Sequence, residues 1–249
     1  MSLLSVQREG SGPSFVWLHG FTQSRDSAYQ FRSILAGTSE LLTLDLPGHG
    51  TAGQVEASLN ETADMVVAAL PEERVALGGY SFGGRVALHV ALRHPERLSK
   101  LVLLGATRGI EDDAEREARR ERDEALAARI EEIGAVAFLD EWLAQPMFLE
   151  LRDDPNERQA RSRSARGLAT SLRRAGTGTQ EWLAPQLAAM SVPTLALAGV
   201  NDAKFSAEAR AIAQLVAHGS YRLVASAGHA AHLAQPLATA GLVASFLDG

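Results

Sequence analysis

The stretch that decides the fold is residues 79–84, Gly-Tyr-Ser-Phe-Gly-Gly, which reads G-x-S-x-G around Ser81. An apolar run precedes it at 75–78, and a helix-like segment follows it at 85–92. In a tight turn between a strand and a helix, glycines are needed because a Cβ would collide with either element. The strained turn holds the serine hydroxyl above the sheet. The helix N-terminus beside it favours developing negative charge. The stretch therefore predicts a reactive Ser81 rather than an ordinary glycine-rich turn.

The composition is that of a globular protein with one α/β domain. The 249 residues are 46% hydrophobic and 22% charged, with a formal net charge of −6. This length leaves room for a large core and an insertion, and the acidic balance argues against nucleic acid or an anionic membrane as partner. The absence of cysteine excludes disulfides and thiolate catalysis. Neither a signal-peptide pattern nor a long apolar run is present, so we expect a cytoplasmic protein.

Apolar runs alternate with helical patterns along most of the chain. The pattern predicts strands at 15–18, 41–46, 75–78, 101–104, 192–200 and 221–225. It predicts helices at 26–35, 59–70, 85–92, 206–216 and 235–247, the first capped by Ser24 or Asp26. Strands that are apolar on both faces and followed by helices indicate a mostly parallel sheet covered on both sides. The predicted fold class is therefore α/β.

The alternation stops in the middle of the chain. Residues 108–185 show charge-rich helical sequence and no convincing strand, with helices expected at 110–134 and 135–144 and an arginine-studded stretch up to 174. An all-helical block between two strand–helix series is typical of an insertion. We therefore predict a core domain of residues 1–107 and 186–249, and we call residues 108–185 the lid.

The chain contains partners that would activate Ser81. A serine needs an imidazole to move its proton, and the imidazole needs a carboxylate to fix its tautomer. Asp202 and His229 each follow a predicted strand, in the order serine, acid, histidine. Asp45 also follows a strand, but it precedes Ser81 and a Pro-Gly turn, so we expect a structural cap. His232 is expected to be a pocket neighbour of His229.

Two backbone N–H groups are expected to form an oxyanion hole beside Ser81. One belongs to Phe82, directly after the serine, and the other to Phe21, directly after His19 and Gly20. A metal site is not expected, because no pair of histidines has ligand spacing on one helix face together with a carboxylate. The glycines at 79–84 are not a phosphate-binding loop, because no lysine follows them.

These residues carry a resemblance to a known family. The loop 19–21, the stretch 79–84, Asp202 and His229 resemble the α/β-hydrolase superfamily, with its nucleophile elbow, over the whole chain. Finer motifs are similar to the 2-succinyl-6-hydroxy-2,4-cyclohexadiene-1-carboxylate synthases of menaquinone biosynthesis. They are D-L-P-G-H-G at 45–50, the arginine at 85, E-W-L-A-Q-P-M-F at 141–148, D-A-K-F at 202–205 and A-G-H-A-A-H at 227–232.

The resemblance implies a carbon–oxygen lyase that needs no cofactor. In that reaction the Ser-His-Asp set removes a proton from a small polycarboxylate substrate, the oxyanion hole stabilises the negative charge, and pyruvate leaves. Ser81 would act as a base, without an acyl-enzyme. The alternative is a carboxylesterase or other acyl hydrolase that uses the same triad covalently. A third possibility is a non-catalytic receptor, against which the intact triad argues.

A polyanionic substrate calls for planar bidentate donors, which arginine provides better than lysine. Nearly all of the positive charge is arginine. Arg85 follows Ser81 by about one helical turn. By resemblance, Arg119 and one of Arg161 and Arg163 complete an anion-binding set, and the choice between the last two stays open.

The remaining substrate-binding residues follow from the resemblance alone. They are Tyr80 and Trp142, which would line the pocket, and Lys204 of the D-A-K-F motif. The arginines of the first lid helix alternate with acidic residues, which is also the pattern of a solvated helix with surface ion pairs.

Overall fold

The computed structural model describes residues 3–249. Its strands are β1 Val6–Glu9, β2 Ser14–Leu18, β3 Glu40–Leu44, β4 Val75–Tyr80, β5 Leu98–Leu104, β6 Thr194–Gly199 and β7 Gly219–Val224. Its α-helices are α1 Tyr29–Ala36, α2 Leu59–Ala69, α3 Phe82–Arg93, α4 Asp113–Leu143, α5 Pro155–Gln159, α6 Ala165–Ala175, α7 Ala184–Leu187, α8 Ala203–Leu215, α9 Ala231–Ala234 and α10 Pro236–Asp248. The predicted α/β class is confirmed.

The strands form one sheet in the order β1-β3-β2-β4-β5-β6-β7, with only β1 antiparallel to its neighbour among the described strands. The register aligns Tyr80 of β4 with Leu104 of β5, and Leu104 with Leu197 of β6. The carboxyl ends of the central strands therefore meet at one edge. In open parallel sheets this edge is where binding sites form.

Each face of the sheet has its own hydrophobic core. On one face, Leu77 of β4 and Val86 of α3 pack with residues of α2 and α8. On the other face, Trp17 of β2, Phe31 of α1 and Val243 of α10 pack together. The cores explain why the strand sequences are apolar throughout. No helix within residues 3–249 has the length and apolar character needed to cross a membrane.

The lid consists of helices and turns in the described part of the chain. α4 is the longest helix of the described lid and bends at Gly134, whose φ of 80° is not helical. Behind the bend, Phe138 packs with Ile130 of the same helix and with Leu168 and Leu172 of α6. The lid thus has a small core of its own, although its division from the core domain at residues 107 and 186 stays a prediction.

Two sequence expectations at the amino-terminal end were wrong. The first helix begins at Tyr29, not at residue 26, and its N-cap position is Ala28 in a left-handed conformation, not Ser24 or Asp26. The Ser24 hydroxyl donates to the lid carbonyl of Ala160 and accepts the backbone N–H of Asp26 (3.2 Å), so it caps the turn before the helix and not the helix itself. β1 was missed, because its sequence Val-Gln-Arg-Glu is too polar to stand out as a strand.

Candidate active site

Ser81 occupies a strained turn between β4 and α3. Its φ is 51° and its ψ is −105°, a conformation that L-residues other than glycine rarely adopt. The Ser81 N–H donates to the carbonyl of Leu104 on the neighbouring strand (2.8 Å), which ties the turn to the sheet. A Cβ on Gly83 would lie 2.3 Å from the carbonyl oxygen of Leu18. The turn therefore requires glycine at 83 and holds Ser81 at the edge of the sheet.

The structure brings Ser81, His229 and Asp202 into one hydrogen-bonded chain. The Ser81 hydroxyl donates to Nε2 of His229 (3.0 Å), and Nδ1 of His229 donates to Oδ2 of Asp202 (2.8 Å). The other carboxylate oxygen of Asp202 accepts the backbone N–H of Phe205 (3.2 Å) as the N-cap of α8. Asp202 is thus fixed by its own helix. The arrangement is that of a serine with a base and an orienting acid.

The imidazole of His229 is enclosed on several sides. Its side chain is only 2% exposed, and the rings of Phe205 and Tyr80 lie 4.3 and 5.2 Å from it. Gly105, with a φ of 58°, faces the ring, and a Cβ there would lie 3.0 Å from its Cε1. Glycine at 105 therefore makes room for the histidine at the end of β5.

The two expected oxyanion donors belong to different elements of the fold. Phe82 is the first residue of α3, so its N–H has no partner within the helix. Phe21 lies in a turn closed by the Gln23 N–H, which donates to the Gly20 carbonyl (3.1 Å). No acceptor within residues 3–249 pairs with the Phe21 N–H. Their role as oxyanion donors stays a prediction.

Arg85 is a buried cation with no carboxylate in direct contact among the described residues, although the charge of Asp123 acts on it. Its residue exposure is 7%, and Nη1 donates to the carbonyl of Gly176 (3.2 Å) and, more weakly, to Oε1 of Gln180 (3.5 Å). No carboxylate within residues 3–249 forms an ion pair with it. Burial lowers the pKa of Arg85 to about 9, and the charge of Arg119 adds to the effect. Buried charges are normally paired, so this position is suited to an anion.

Arg119 and Lys204 line a cavity of about 1260 Å³ between the lid and α8. Nε of Arg119 donates to Oδ1 of Asp123, one turn along α4 (2.8 Å). Thr107 also lines this cavity, and its carbonyl accepts from the Gln180 side chain that meets Arg85. The cavity therefore lies next to Arg85, although Ser81 and His229 are not among its lining residues.

Arg161 lies in a different place from Arg119. It lines a second cavity, of about 990 Å³, together with His232, and only 4% of its side chain is exposed. Burial lowers the pKa of His232 to about 3, with the charge of Arg161 contributing, so His232 is neutral. Arg163 is exposed, and it does not line the cavity that Arg161 and His232 share. Between the two alternatives, the structure places Arg161 inside.

Aromatic rings separate the second cavity from Ser81. Tyr80 lies between His229 and His232, with its ring 4.2 Å from that of His232, and burial raises its pKa well above the usual range. Trp142 contacts the rings of Phe21 (5.2 Å) and Phe148 (5.9 Å). Of the predicted substrate-binding residues, Arg119 and Lys204 line one cavity and Arg161 lines the other, so they do not share a single cavity.

Asp45 caps local structure, as expected. Its carboxylate accepts the backbone N–H groups of Arg25 and Thr51, both at 2.8 Å, and the Thr51 hydroxyl. His49, from the same segment, stacks on Phe82 at 5.4 Å. Burial lowers the pKa of His49 to about 3, so a neutral ring supports the turn after Ser81. No group of acidic and histidine side chains that could hold a metal occurs in the described part of the chain.

Two residues that support the arginines were missed from the sequence. Asp123 is 2% exposed and holds both Arg119 and the backbone N–H of Gly178 (3.0 Å). Its position four residues after Arg119 on one helix is a signal that was available. Gln180, which is 1% exposed, contacts Arg85 through the fold alone, and no local pattern marks it.

Comparison with known proteins identifies the family. A family model described as the alpha/beta hydrolase fold matches residues 13–236. The chain belongs to the α/β-hydrolase family. It is 34% identical, over 98% of its length and 94% of the relative's, to a putative 2-succinyl-6-hydroxy-2,4-cyclohexadiene-1-carboxylate synthase of Bacillus subtilis. It is 35% identical to the synthase of that name from Serratia proteamaculans, over 97% and 95% of the two chains. The resemblance to these synthases is confirmed.

Solved structures agree in fold. The structure of MenH from S. aureus superposes with a TM-score of 0.89 at 28% identity, covering 100% of this chain and 98% of that one. A thermophilic esterase from Thermogutta terrifontis superposes with a TM-score of 0.81 at 24% identity, covering 98% and 93%. At that identity the esterase supports the fold alone.

Proposed function

We propose that this protein is a carbon–oxygen lyase, a 2-succinyl-6-hydroxy-2,4-cyclohexadiene-1-carboxylate synthase of menaquinone biosynthesis. The observation that carries the proposal is Arg85, a buried cation without a carboxylate partner, one helical turn from Ser81. A hydrolase of neutral esters has no use for such a charge, whereas a substrate with several carboxylates does. The names of the relatives support the same reaction.

The proposed chemistry begins at Ser81. His229 takes the hydroxyl proton, Asp202 stabilises the imidazolium that forms, and the Ser81 oxygen removes a proton from carbon. The negative charge moves to an oxygen that the N–H groups of Phe21 and Phe82 stabilise. A carbon–carbon double bond forms as the carbon–oxygen bond breaks, and the leaving group departs as the enolate of pyruvate. This enolate takes the proton held by His229 and becomes pyruvate, and Ser81 keeps the proton removed from carbon, so the triad returns to its starting state. No cofactor takes part in this scheme.

The proposed substrate contacts follow the two cavities. Arg85 and Arg119, with Lys204 at the rim, would hold one carboxylate group, and Arg161 would hold another beside Tyr80. Trp142 would pack against the ring of the substrate. A carboxylate between Arg85 and Arg119 would also relieve the repulsion of their charges.

The second candidate is a carboxylesterase. The 3.0 Å contact between Ser81 and His229 suits covalent attack as well as proton removal. A coupled lactate-dehydrogenase assay with the synthase substrate separates the two. We expect NADH consumption that is lost in Ser81→Ala. If the substrate is inert while p-nitrophenyl acetate is hydrolysed and an acyl group accumulates on Ser81, the esterase is the correct function.

A further inference from the structure

The turn that carries Phe21 is closed by two hydrogen bonds between Gly20 and Gln23, one from the backbone and one from the side chain of Gln23. The Gln23 backbone N–H donates to the Gly20 carbonyl (3.1 Å), and the Gly20 N–H donates to Oε1 of the Gln23 side chain (2.9 Å). The Phe21 N–H lies between these bonds. Its direction is therefore set by the geometry of this one turn.

The turn contains a strained residue. Thr22 has a φ of 67° and is 1% exposed, although a left-handed position in a turn favours glycine and disfavours β-branched residues. Such strain persists only where other contacts maintain it. Here the contacts come from the lid. Nη1 of Arg161 donates to the Thr22 hydroxyl (2.7 Å), and the Ser162 N–H donates to the Thr22 carbonyl (2.8 Å).

A lid carboxylate holds the other side of the turn. Oε1 of Glu157 accepts from Nε2 of Gln23 (3.3 Å) and pairs with Nη2 of Arg161 (3.3 Å). Its second oxygen accepts the backbone N–H of Ala28 (2.7 Å), at the start of α1. Only 14% of the Glu157 side chain is exposed. Four residues of two separate segments thus form one network around the Phe21 turn.

We propose that Thr22 and Gln23 are positioning residues that fix the direction of the Phe21 N–H, and that Arg161 and Glu157 of the lid act on this donor through them. The inference rests on the proposed function in one respect, the use of the Phe21 N–H as an oxyanion donor. The lid then contributes to the oxyanion hole without touching the oxyanion.

A matched pair of variants tests the network. Thr22→Val keeps the shape and the strain but removes the acceptor of Arg161, and Thr22→Ser keeps the hydroxyl. The readout is the rate at which a fluorophosphonate labels Ser81, followed by intact-protein mass spectrometry, since this transfer also places charge on an oxygen in the hole. We expect Thr22→Val to label about 10-fold or more slowly and Thr22→Ser to label within about twofold of the parent.

The proposal would be overturned if Ser81 of folded Thr22→Val were labelled at the wild-type rate. It would also be overturned if labelling were slowed equally in Thr22→Ser. Urea unfolding shows whether each variant is folded. If Thr22→Val does not fold, Gln23→Met serves in its place, because it removes the side-chain contacts of Gln23 with the Gly20 N–H and with Glu157. Labelling of Ser81 at the wild-type rate in Gln23→Met would also overturn the proposal. The pH profile of labelling should keep its midpoint, because the triad is untouched; a moved midpoint would place the effect on His229 instead. Labelling remains readable even if no pyruvate is released, so failure of the proposed function is recognised separately.

Discussion

Arg85 of the core and Arg119 of the lid bring like charges together beside the turn that holds Ser81. Burial lowers the pKa of Arg85 to about 9, and the Arg119 charge adds to that effect. The carboxylate of Asp123 opposes it only in part, since it already pairs with Nε of Arg119. Positive charge in excess of its local partners is a feature of anion sites, and it leads to the first two predictions.

Arg85→Ala should reduce pyruvate release by about 100-fold or more, because a buried charge that meets a substrate carboxylate is worth several kcal/mol. Hydrolysis of p-nitrophenyl acetate, which carries no carboxylate, should change little. Arg166→Ala is the matched control, since its side chain is 76% exposed and, within residues 3–249, pairs only with Glu56. Equal loss of both activities in Arg85→Ala would contradict a role in anion binding.

Asp123→Asn should raise the KM for the synthase substrate about 10-fold with a smaller change in kcat, because the neutral amide loses the ionic part of the contact that orients the Arg119 guanidinium. Steady-state pyruvate release measures both constants. Glu132→Gln, which alters an exposed pair with Arg129 on the same helix, serves as the control. An unchanged KM in Asp123→Asn would show that Arg119 is not oriented by this contact.

The free energy of unfolding should fall as the pH drops from about 6.5 toward 4. Burial lowers the pKa of His49 and His232 to about 3 and that of His89 to about 4, whereas unfolded histidines take up protons below about pH 6.5. The unfolded chain therefore binds more protons in this window, and stability decreases with falling pH by up to about 1 kcal/mol per pH unit for each histidine.

Urea unfolding at pH 7, 6 and 5 measures this slope. His89→Gln should flatten it, because His89 is 6% exposed, lies outside the site and contacts Asn60 through Nδ1. His218→Gln, at an exposed position, should leave the slope unchanged. A slope that is the same in both variants would mean that His89 is not held neutral by burial.

Gly83→Ala should destabilise the protein by about 2 kcal/mol or more, since its Cβ would overlap the Leu18 carbonyl and the chain cannot move without shifting β2. Gly241→Ala, in the exposed interior of α10 with no atom within 4 Å of the new Cβ, should instead stabilise by about 0.5–1 kcal/mol. Chemical denaturation of the two variants should give shifts of opposite sign, and a stable Gly83→Ala would refute the tight fit described for the turn.

Much of the fold was predictable because its determinants are local. The central strands are continuous apolar runs, and the capping box of α2, formed by Ser58 and Glu61, begins that helix at the predicted residue. The error at α1 arose because the residues after Ser24 first form a turn, closed by the Ser27 N–H on the Ser24 carbonyl (3.1 Å), and the helix begins only at Tyr29. The polar edge strand β1 is specified by pairing with β3, which no pattern in its own four residues reveals.

In the candidate site too, some residues could be predicted from local sequence and others could not. Ser81, Asp202 and His229 could be identified in order from motifs at strand ends. The sequence could not decide between Arg161 and Arg163. They are two positions apart in an irregular segment, where either side chain can face inward. The Glu157 contact with Gln23 and the Thr22 contact with Arg161 join residues more than 130 positions apart, and only the folded chain shows them.

The positive-φ backbone conformation of Ser81 places thermal stability and catalytic activity in opposition. Glycine would adopt a φ of 51° without strain, so Ser81→Gly should raise the melting temperature while it removes the hydroxyl. A library of variants selected only for thermostability would enrich Ser81→Gly and lose catalytic activity. The serine therefore persists at this position only under selection for chemistry, and the protein is less robust than its own scaffold would allow.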